Sequence, residues 1–196
     1  MALVFVYGTL KAGEPNHHWL TDPRNGRARL LGRARTVDTF PLVIASRYNI
    51  PYLLRAPGVG EHVEGEVYEV DERMLAQLDV LEDHPKYYER EIRRVTLTPQ
   101  AGEATPLTPA SETTPPTAAS EATVDAWVYL LPSFKPAMLD LPRLKSYSAS
   151  GPHGLAYMPR YARPKPGPEY WVDVKDGVAQ GPPTGENVTT SATEMT

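Results

Sequence analysis

The segment Tyr7-Gly8-Thr9-Leu10 has the composition and the position to bind an oxygen atom through its backbone. It continues an apolar run over residues 3–7, which is typical of a buried strand. A glycine directly after a strand allows a sharp turn, and the N–H groups that follow can converge on an oxygen or an anion. The same pattern fits a plain turn at a strand end, and one glycine alone favours that simpler interpretation.

Glu82 is an acid at a position that the helical pattern assigns to the buried face. Asp71 is a good N-cap and Pro85 cannot continue a helix, so the sequence predicts a helix that ends at about His84. At about 100° per residue, four residues of this helix form one apolar stripe: Met74, Leu75, Leu78 and Leu81. Glu82 follows Leu78 by one helical turn and therefore belongs to the same stripe.

The predicted position of Glu82 has a chemical consequence. Burial and the negative end of the helix dipole both disfavour a charged carboxylate, so both raise its pKa toward the range of a general acid or base near neutral pH. If the last turn frays, the side chain simply reaches water. Periodicity alone makes Glu82 a candidate and leaves both interpretations open.

Other catalytic signatures are weak or absent in the sequence. Gly8 and Gly13 have the spacing of a phosphate-binding loop, but Glu14-Pro15 occupies the place of its Lys-Ser/Thr pair. The five histidines include no H-E-x-x-H pair, so we predict no metal site. A cysteine nucleophile is excluded because the chain has no cysteine, and without a G-x-S-x-G motif a serine hydrolase is poorly supported.

Composition limits the classes of protein to which the chain can belong. A length of 196 residues and a hydrophobic fraction of 41% predict a single globular domain, which we place at residues 1–163. The net charge is −4 and no run of lysine or arginine is present, so we expect no nucleic-acid partner. No stretch approaches the roughly 20 apolar residues of a membrane span, and we expect a cytoplasmic protein without a membrane partner.

Several segments alternate with the period of a strand. They are residues 63–70 and 92–97, followed by residues 124–129, which we expect to pair with the strand ending at Leu97. Shorter apolar runs lie at residues 40–44 and 52–54. Because strands dominate and no regular βαβ alternation is present, the sequence predicts an α+β fold around a curled sheet.

Two segments do not have the composition of packed structure. In residues 99–123, 22 of 25 residues are Pro, Thr, Ala, Glu or Ser, which predicts a flexible inserted loop. Residues 164–196 are rich in Pro, Gly and Thr, and we expect a disordered tail. Within it, residues 170–174 could form a short strand, although an isolated apolar patch is the simpler interpretation.

Several segments together resemble the γ-glutamylcyclotransferase-like family. They include V-F-V-Y-G-T-L-K-A-G-E-P-N-H-H from residue 4, V-E-G-E-V-Y-E-V-D-E-R-M-L from residue 63 and S-Y-S-A-S-G-P-H-G-L-A-Y-M-P-R from residue 146. The resemblance covers most of residues 1–98 and 124–160, in order. It implies a barrel-like mixed sheet with a few helices, a γ-glutamyl group bound by the backbone of Tyr7, Gly8, Thr9 and Leu10, and Glu82 as the catalytic carboxylate. It leaves open whether Tyr88 orients the site or is only a core aromatic.

The resemblance also implies a reaction. The α-amino group of a γ-glutamyl amine attacks its own γ-carbonyl, which releases 5-oxoproline and the free amine. The implied substrate is ε-(γ-glutamyl)-lysine, an isopeptide of transglutaminase-type crosslinks. Because the substrate supplies the nucleophile, no cofactor or metal is expected, and we expect a monomer whose partner is this small molecule.

Two alternatives to this function stay open at the level of sequence. The same chemistry could act on other γ-glutamyl substrates, such as γ-glutamyl amino acids or glutathione. A non-catalytic binding module could also retain the fold, since a fold alone does not establish an activity. The presence of an acid at residue 82 favours an enzyme over such a module.

Overall fold

The computed structural model describes residues 1–98, 122–163 and 172–175, and strands dominate these residues. The strands are β1 (Ala2–Val6), β2 (Ala28–Phe40), β3 (Leu42–Ala45), β4 (Ile50–Leu53), β5 (Glu61–Val70), β6 (Glu89–Leu97) and β7 (Thr123–Leu130). The helices are α1 (His18–Thr21) and α2 (Glu72–Leu81), and short 3₁₀ turns span Pro136–Asp140 and Arg160–Ala162. No helix in the described part of the chain is long and apolar enough to cross a membrane.

Five strands form a closed barrel in the order β1-β5-β2-β6-β7. All neighbours are antiparallel except β1 and β7, whose parallel pairing of Val4 with Trp127 closes the barrel. The predicted pairing across the inserted segment is confirmed, since Val95 of β6 lies opposite Val124 of β7. The predicted α+β class with a barrel-like sheet is therefore confirmed, and β3 with β4 forms a separate two-stranded sheet.

The alternation of β1 divides its side chains between two hydrophobic clusters. Phe5 and Tyr7 belong to the cluster that fills the barrel interior. Side chains from one face of each of the five barrel strands contribute to this cluster. Val4 and Val6 belong to the second cluster, which helix α2 covers from outside. Because both faces of β1 are buried, its sequence is a continuous apolar run, and the turn that follows is held on two sides.

Helix α2 packs on the barrel through the predicted stripe. Met74, Leu78 and Leu81 are buried, and the side chain of Asp71 caps the first turn by accepting a hydrogen bond of 2.8 Å from the Met74 N–H. The N-cap and the apolar face of the predicted helix are thus confirmed.

The end of α2 differs from the prediction. The helix ends at Leu81, before His84, because Asp83 adopts a left-handed conformation with φ of 50°. The His84 N–H then donates to the carbonyl of Asp79 and the Asp83 N–H to that of Val80, which is the hydrogen-bond pattern of a Schellman motif. As a result Glu82 is the C-cap residue, and the chain turns away from the helix immediately after it.

The Asp71 cap should make a pH-dependent contribution to stability. The hydrogen bond from the Met74 N–H holds the pKa of Asp71 below its ordinary value. The contribution of the Asp71 carboxylate to the stability of the fold is therefore complete above the ordinary carboxyl pKa. It is lost as the pH falls through the lowered pKa of the folded state. Asp71→Ala is expected to lower Tm by about 2–4 °C at neutral pH, and by less in acid, in thermal melts at several pH values. Asp71→Asn, which keeps a capping oxygen, should lose less at neutral pH.

Residues 172–175 pack against the domain and do not form the strand considered for residues 170–174. Val174 is buried in the outer cluster and accepts a hydrogen bond of 2.8 Å from the Lys135 N–H, while Asp173 pairs with Arg47. The expectation of an isolated apolar patch is wrong for these four residues, because Val174 finds apolar neighbours that are distant in sequence. The rest of the predicted tail and residues 99–121 of the predicted loop lie outside the described residues, and the predicted domain limits stay predictions.

Candidate active site

A cavity of about 320 Å³ lies where β1 ends and α2 ends. All six residues considered from the sequence line it: Tyr7, Gly8, Thr9, Leu10, Glu82 and Tyr88. The structure therefore brings together two segments that are separated by about seventy residues in the chain. Buried tyrosines form the base of the cavity, and the partly exposed Asn16, Tyr157 and Arg163 form its rim.

The backbone of the loop after β1 is held through its carbonyl groups. The Gly8 carbonyl accepts from the Lys11 N–H, and the Thr9 carbonyl accepts a 2.8 Å hydrogen bond from the Asn16 N–H. By contrast, no described residue accepts a hydrogen bond from the N–H of Gly8, Thr9 or Leu10. The three residues line the cavity, so the loop can present N–H groups to a bound oxygen, as the glycine-turn pattern predicts.

Side chains from distant segments hold the same loop in place. The Asn16 amide donates to the Thr9 hydroxyl oxygen at 2.9 Å and to the Tyr157 hydroxyl at 3.1 Å. Lys11 Nζ donates to the Tyr147 carbonyl at 2.5 Å. The loop conformation therefore depends on residues 147–157, which the chain supplies only after the last barrel strand.

Glu82 lies at the same cavity with its side chain half-buried. Its N–H donates to the Leu78 carbonyl at 2.9 Å, and its own carbonyl accepts from the Tyr88 N–H at 3.4 Å. Its position is therefore determined by the last turn of α2 and by the segment that follows. The final turn does not fray, because the Schellman hydrogen bonds close it and the next residues fold back over it.

The phenols around Glu82 are neutral hydroxyl groups. Burial, and secondarily the charge of Glu82, raises the pKa of Tyr7 well above its ordinary value. Burial likewise raises the pKa of Tyr88, with smaller contributions from neighbouring tyrosines and Glu82. The Tyr7 hydroxyl donates to the Tyr129 carbonyl at 2.8 Å, whereas the Tyr88 hydroxyl has no hydrogen-bond partner among the described residues. Tyr88 can therefore offer a hydrogen bond to a substrate in the cavity.

A polar link that sequence reasoning missed joins α2 to the barrel beside Glu82. The Tyr129 hydroxyl donates to Asp79 Oδ1 at 2.7 Å, and Arg90 Nε lies 2.9 Å from the same oxygen as an ion pair. The Arg90 guanidinium lies over the Trp127 ring at 4.6 Å. No sequence signal identifies this link, because its residues come from one helix and two strands that meet only in the folded barrel.

The link between Tyr129 and Asp79 should stabilise the end of α2. Tyr129→Phe is expected to lower the free energy of unfolding by about 1–2 kcal/mol, because it removes a hydrogen bond to a charged group that is partly screened. Urea denaturation measures this loss, and Asp79→Asn should cause a similar one. The double variant should lose less than the sum of the two, whereas strict additivity would contradict the link.

Sequence reasoning also missed the rim residues Asn16, Tyr157 and Arg163 as part of the site. The residues around them show no periodic pattern that would mark their positions. Residues 146–160, which contain Tyr157, were quoted only as part of a family resemblance. Within the described ranges, no group of three or more histidine or acidic side chains is placed to hold a metal ion. The chemistry available at the cavity is therefore that of two carboxylates, Glu82 and Asp83, together with phenols, backbone N–H groups and a guanidinium.

Comparisons with known proteins identify the family of the chain. The family model described as gamma-glutamyl cyclotransferase, AIG2-like, matches residues 4–149. A putative gamma-glutamylcyclotransferase of Drosophila melanogaster is 51% identical over 74% of this chain and 80% of its own length. The gamma-glutamylaminecyclotransferase of Homo sapiens is 48% identical over 83% of this chain and 100% of its own length.

A solved structure shares the fold. The crystal structure of an AIG2-like protein from Mus musculus superimposes with a TM-score of 0.70 at 43% identity, covering 83% of this chain and 99% of the mouse chain. The family match, which spans most of the chain, includes both the loop after β1 and the acid at the end of α2. The chain therefore belongs to the gamma-glutamyl cyclotransferase, AIG2-like, family.

Proposed function

We propose that the protein is a γ-glutamylamine cyclotransferase that converts ε-(γ-glutamyl)-lysine and related γ-glutamyl amines to 5-oxoproline and the free amine. The observation that carries this proposal is one cavity lined both by Glu82 and by Gly8, Thr9 and Leu10, whose N–H groups have no acceptor among the described residues. Similarity to the human and Drosophila proteins supports the reaction class. Such an activity would contribute to the breakdown of transglutaminase-type isopeptide crosslinks.

The proposed reaction needs no nucleophile from the protein. The α-amino nitrogen of the glutamyl group attacks the γ-carbonyl carbon, a new C–N bond closes the five-membered lactam, and the original amide C–N bond breaks. Glu82 accepts a proton from the attacking amine and returns it to the departing nitrogen, so that the amine leaves as a neutral molecule. Positioning the two reacting groups in a fixed pose accounts for up to about 7–11 kcal/mol of the barrier in favourable intramolecular cases.

The loop after β1 has two compatible tasks in this proposal. Its N–H groups can bind the substrate carboxylate, or they can stabilise the oxyanion that develops on the γ-carbonyl oxygen. A single donor of the second kind contributes about 3–4 kcal/mol to transition-state stabilisation. The neutral Tyr88 hydroxyl is a further donor at the same cavity.

Direct measurement of the product tests the proposal. The purified full chain is incubated with ε-(γ-glutamyl)-lysine, and 5-oxoproline and lysine are quantified by mass spectrometry. Stoichiometric release of both is expected, and absence of product in a folded preparation would contradict the proposal. A panel with γ-glutamyl-alanine and glutathione determines whether the alternative γ-glutamyl substrates are preferred.

We also propose that the acting unit is a monomer in the cytoplasm. One copy of the chain supplies both Glu82 and the loop residues Gly8, Thr9 and Leu10, so the proposed reaction does not require a second copy. Sedimentation velocity at the assay concentration tests the oligomeric state, and cell fractionation tests the compartment.

A further inference from the structure

Residues 172–175 contact two segments of the domain that are far from them in sequence. Asp173 accepts hydrogen bonds of 2.8 and 2.9 Å from the Arg47 guanidinium and one of 3.2 Å from the Arg47 N–H. Lys175 donates from Nζ to the Lys86 carbonyl at 2.7 Å. The family match ends at residue 149 and does not include these four residues.

The Lys175 side chain is buried, with 9% of its surface exposed. Its Nζ lies 5.0 Å from the centre of the Tyr87 ring, whose hydroxyl is 3.0 Å from that of Tyr52. Burial lowers the pKa of Lys175, and the nearby charges of Asp83 and Glu89 oppose this change. A buried ammonium group is stable only where polar partners compensate for its lost hydration, so the carbonyl and the ring give it a defined position.

The carbonyl that Lys175 holds directly precedes two tyrosines of the cavity lining, Tyr87 and Tyr88. The rings of these tyrosines meet edge to face, with their centres 5.1 Å apart. The Tyr87 N–H donates to the Asp83 carbonyl at 2.8 Å, and the Tyr88 N–H to the Glu82 carbonyl at 3.4 Å. The second bond is longer than an ordinary N–H···O hydrogen bond, so contacts from outside the segment contribute to its position.

We propose that Lys175 is a positioning residue for the candidate active site. Its contacts with the segment 83–88 hold that segment against the end of α2, and so fix Glu82 and Tyr88 at the cavity. Asp173 anchors the same short stretch of chain at its other end. This inference rests on the proposed function and extends the site to a residue beyond the family match. Lys175 acts through the segment and takes no part in the proton transfer.

The kinetics of Lys175→Met test this role, because methionine keeps an apolar stem and removes the ammonium group. This variant is expected to lower kcat for ε-(γ-glutamyl)-lysine about 10-fold and to change KM less than about 2-fold, since a small displacement of Glu82 slows the reaction of a bound substrate. Lys175→Arg restores a cation and a donor, so its kcat should return to within about 3-fold of the wild type.

Hydrogen exchange measured by mass spectrometry tests the same contact without a substrate. In Lys175→Met, the amides of residues 83–88 are expected to exchange about 5- to 30-fold faster than in the wild type, because the segment loses a hydrogen bond to a charged group. Peptides from β5 should exchange at the wild-type rate, which shows that the barrel is intact. Unchanged exchange in residues 83–88 would overturn the inference by itself.

Two control variants separate positioning from loss of charge and loss of stability. Lys86→Met removes an exposed lysine side chain from the same segment and keeps the carbonyl that Lys175 holds, so its kcat and exchange should stay within about 2-fold of the wild type. Asp71→Ala destabilises the opposite end of α2 and should leave kcat unchanged at a temperature at which the variant is folded.

The outcomes that contradict the inference differ from those that contradict the proposed function. A fall in kcat for either control equal to that for Lys175→Met would overturn the inference, as would a wild-type kcat in Lys175→Met. A wild type that forms no 5-oxoproline would instead contradict the proposed function, and the exchange measurement would still decide whether Lys175 holds the segment.

Discussion

Glu82→Gln is expected to lower kcat/KM for ε-(γ-glutamyl)-lysine by about 100- to 10,000-fold while leaving the fold intact. Glutamine has nearly the same shape as glutamate, but its amide cannot accept a proton from the attacking amine. The N–H of residue 82 donates to the Leu78 carbonyl and its carbonyl accepts from the Tyr88 N–H, and the substitution preserves both hydrogen bonds. The rate of 5-oxoproline formation measures the effect, and a thermal melt verifies that the variant is folded.

Asp83→Asn is the control for this variant. Asp83 is the neighbouring acid at the same cavity, and it has a φ of 50°, a conformation that asparagine also tolerates. This control is expected to retain at least about a tenth of the wild-type kcat/KM, because it removes a nearby charge and no proton carrier. If Glu82→Gln is as active as the wild type, Glu82 is not the proton carrier. If both variants lose activity equally, the loss reflects the charge of the cavity.

Gly65→Ala is expected to destabilise the barrel strongly. Gly65 lies in β5 between the inward-facing Val63 and Val67. A Cβ at this position would overlap the carbonyl oxygen of Val6 and would lie 2.6 Å from Cζ of Phe5. A backbone oxygen cannot move without shifting the end of β1. We therefore expect a loss of about 3 kcal/mol in the free energy of unfolding and a Tm lower by about 6–12 °C.

The same substitution should impair activity, because Val6 directly precedes the loop that contributes N–H groups to the cavity. Urea denaturation and the 5-oxoproline assay measure the two effects. Gly58→Ala is the control, since no atom lies within 4 Å of its added Cβ and only its φ of 87° causes strain. That control should lose about 1 kcal/mol. A loss for Gly65→Ala no larger than that of the control would show that β1 accommodates the methyl group.

Local patterns in the sequence determined several elements of the fold, although they did not reveal β2 or α1. The alternation in residues 63–70, 92–97 and 124–129 corresponds to β5, β6 and β7, and the stripe from Met74 to Leu81 corresponds to the buried face of α2. The Asp71 cap was equally predictable. Such features depend on residues only two to four positions apart, so they can be recognised without knowing how the rest of the chain folds.

The candidate site was predictable in part. Periodicity identified Glu82 as an acid on an apolar face, and the glycine turn identified the loop after β1, but each retained a simpler interpretation. The resemblance to a family related them, and the structure shows that they line one cavity. The predicted end of the helix at about His84 was based on Pro85, which cannot continue a helix. The position of a proline does not reveal the left-handed Asp83 or the Schellman hydrogen bonds that stabilise it and end the helix earlier.

Only the tertiary structure decided which distant residues surround these elements. Closure of the barrel through β1 and β7 places Tyr129 beside Asp79, and the chain after the barrel brings Tyr157 and Arg163 to the rim. Val174 joins the outer cluster from a segment whose composition predicts no packing. These contacts depend on strand register and on the shapes of surfaces that come together in the fold, and neither leaves a periodic signal in the sequence.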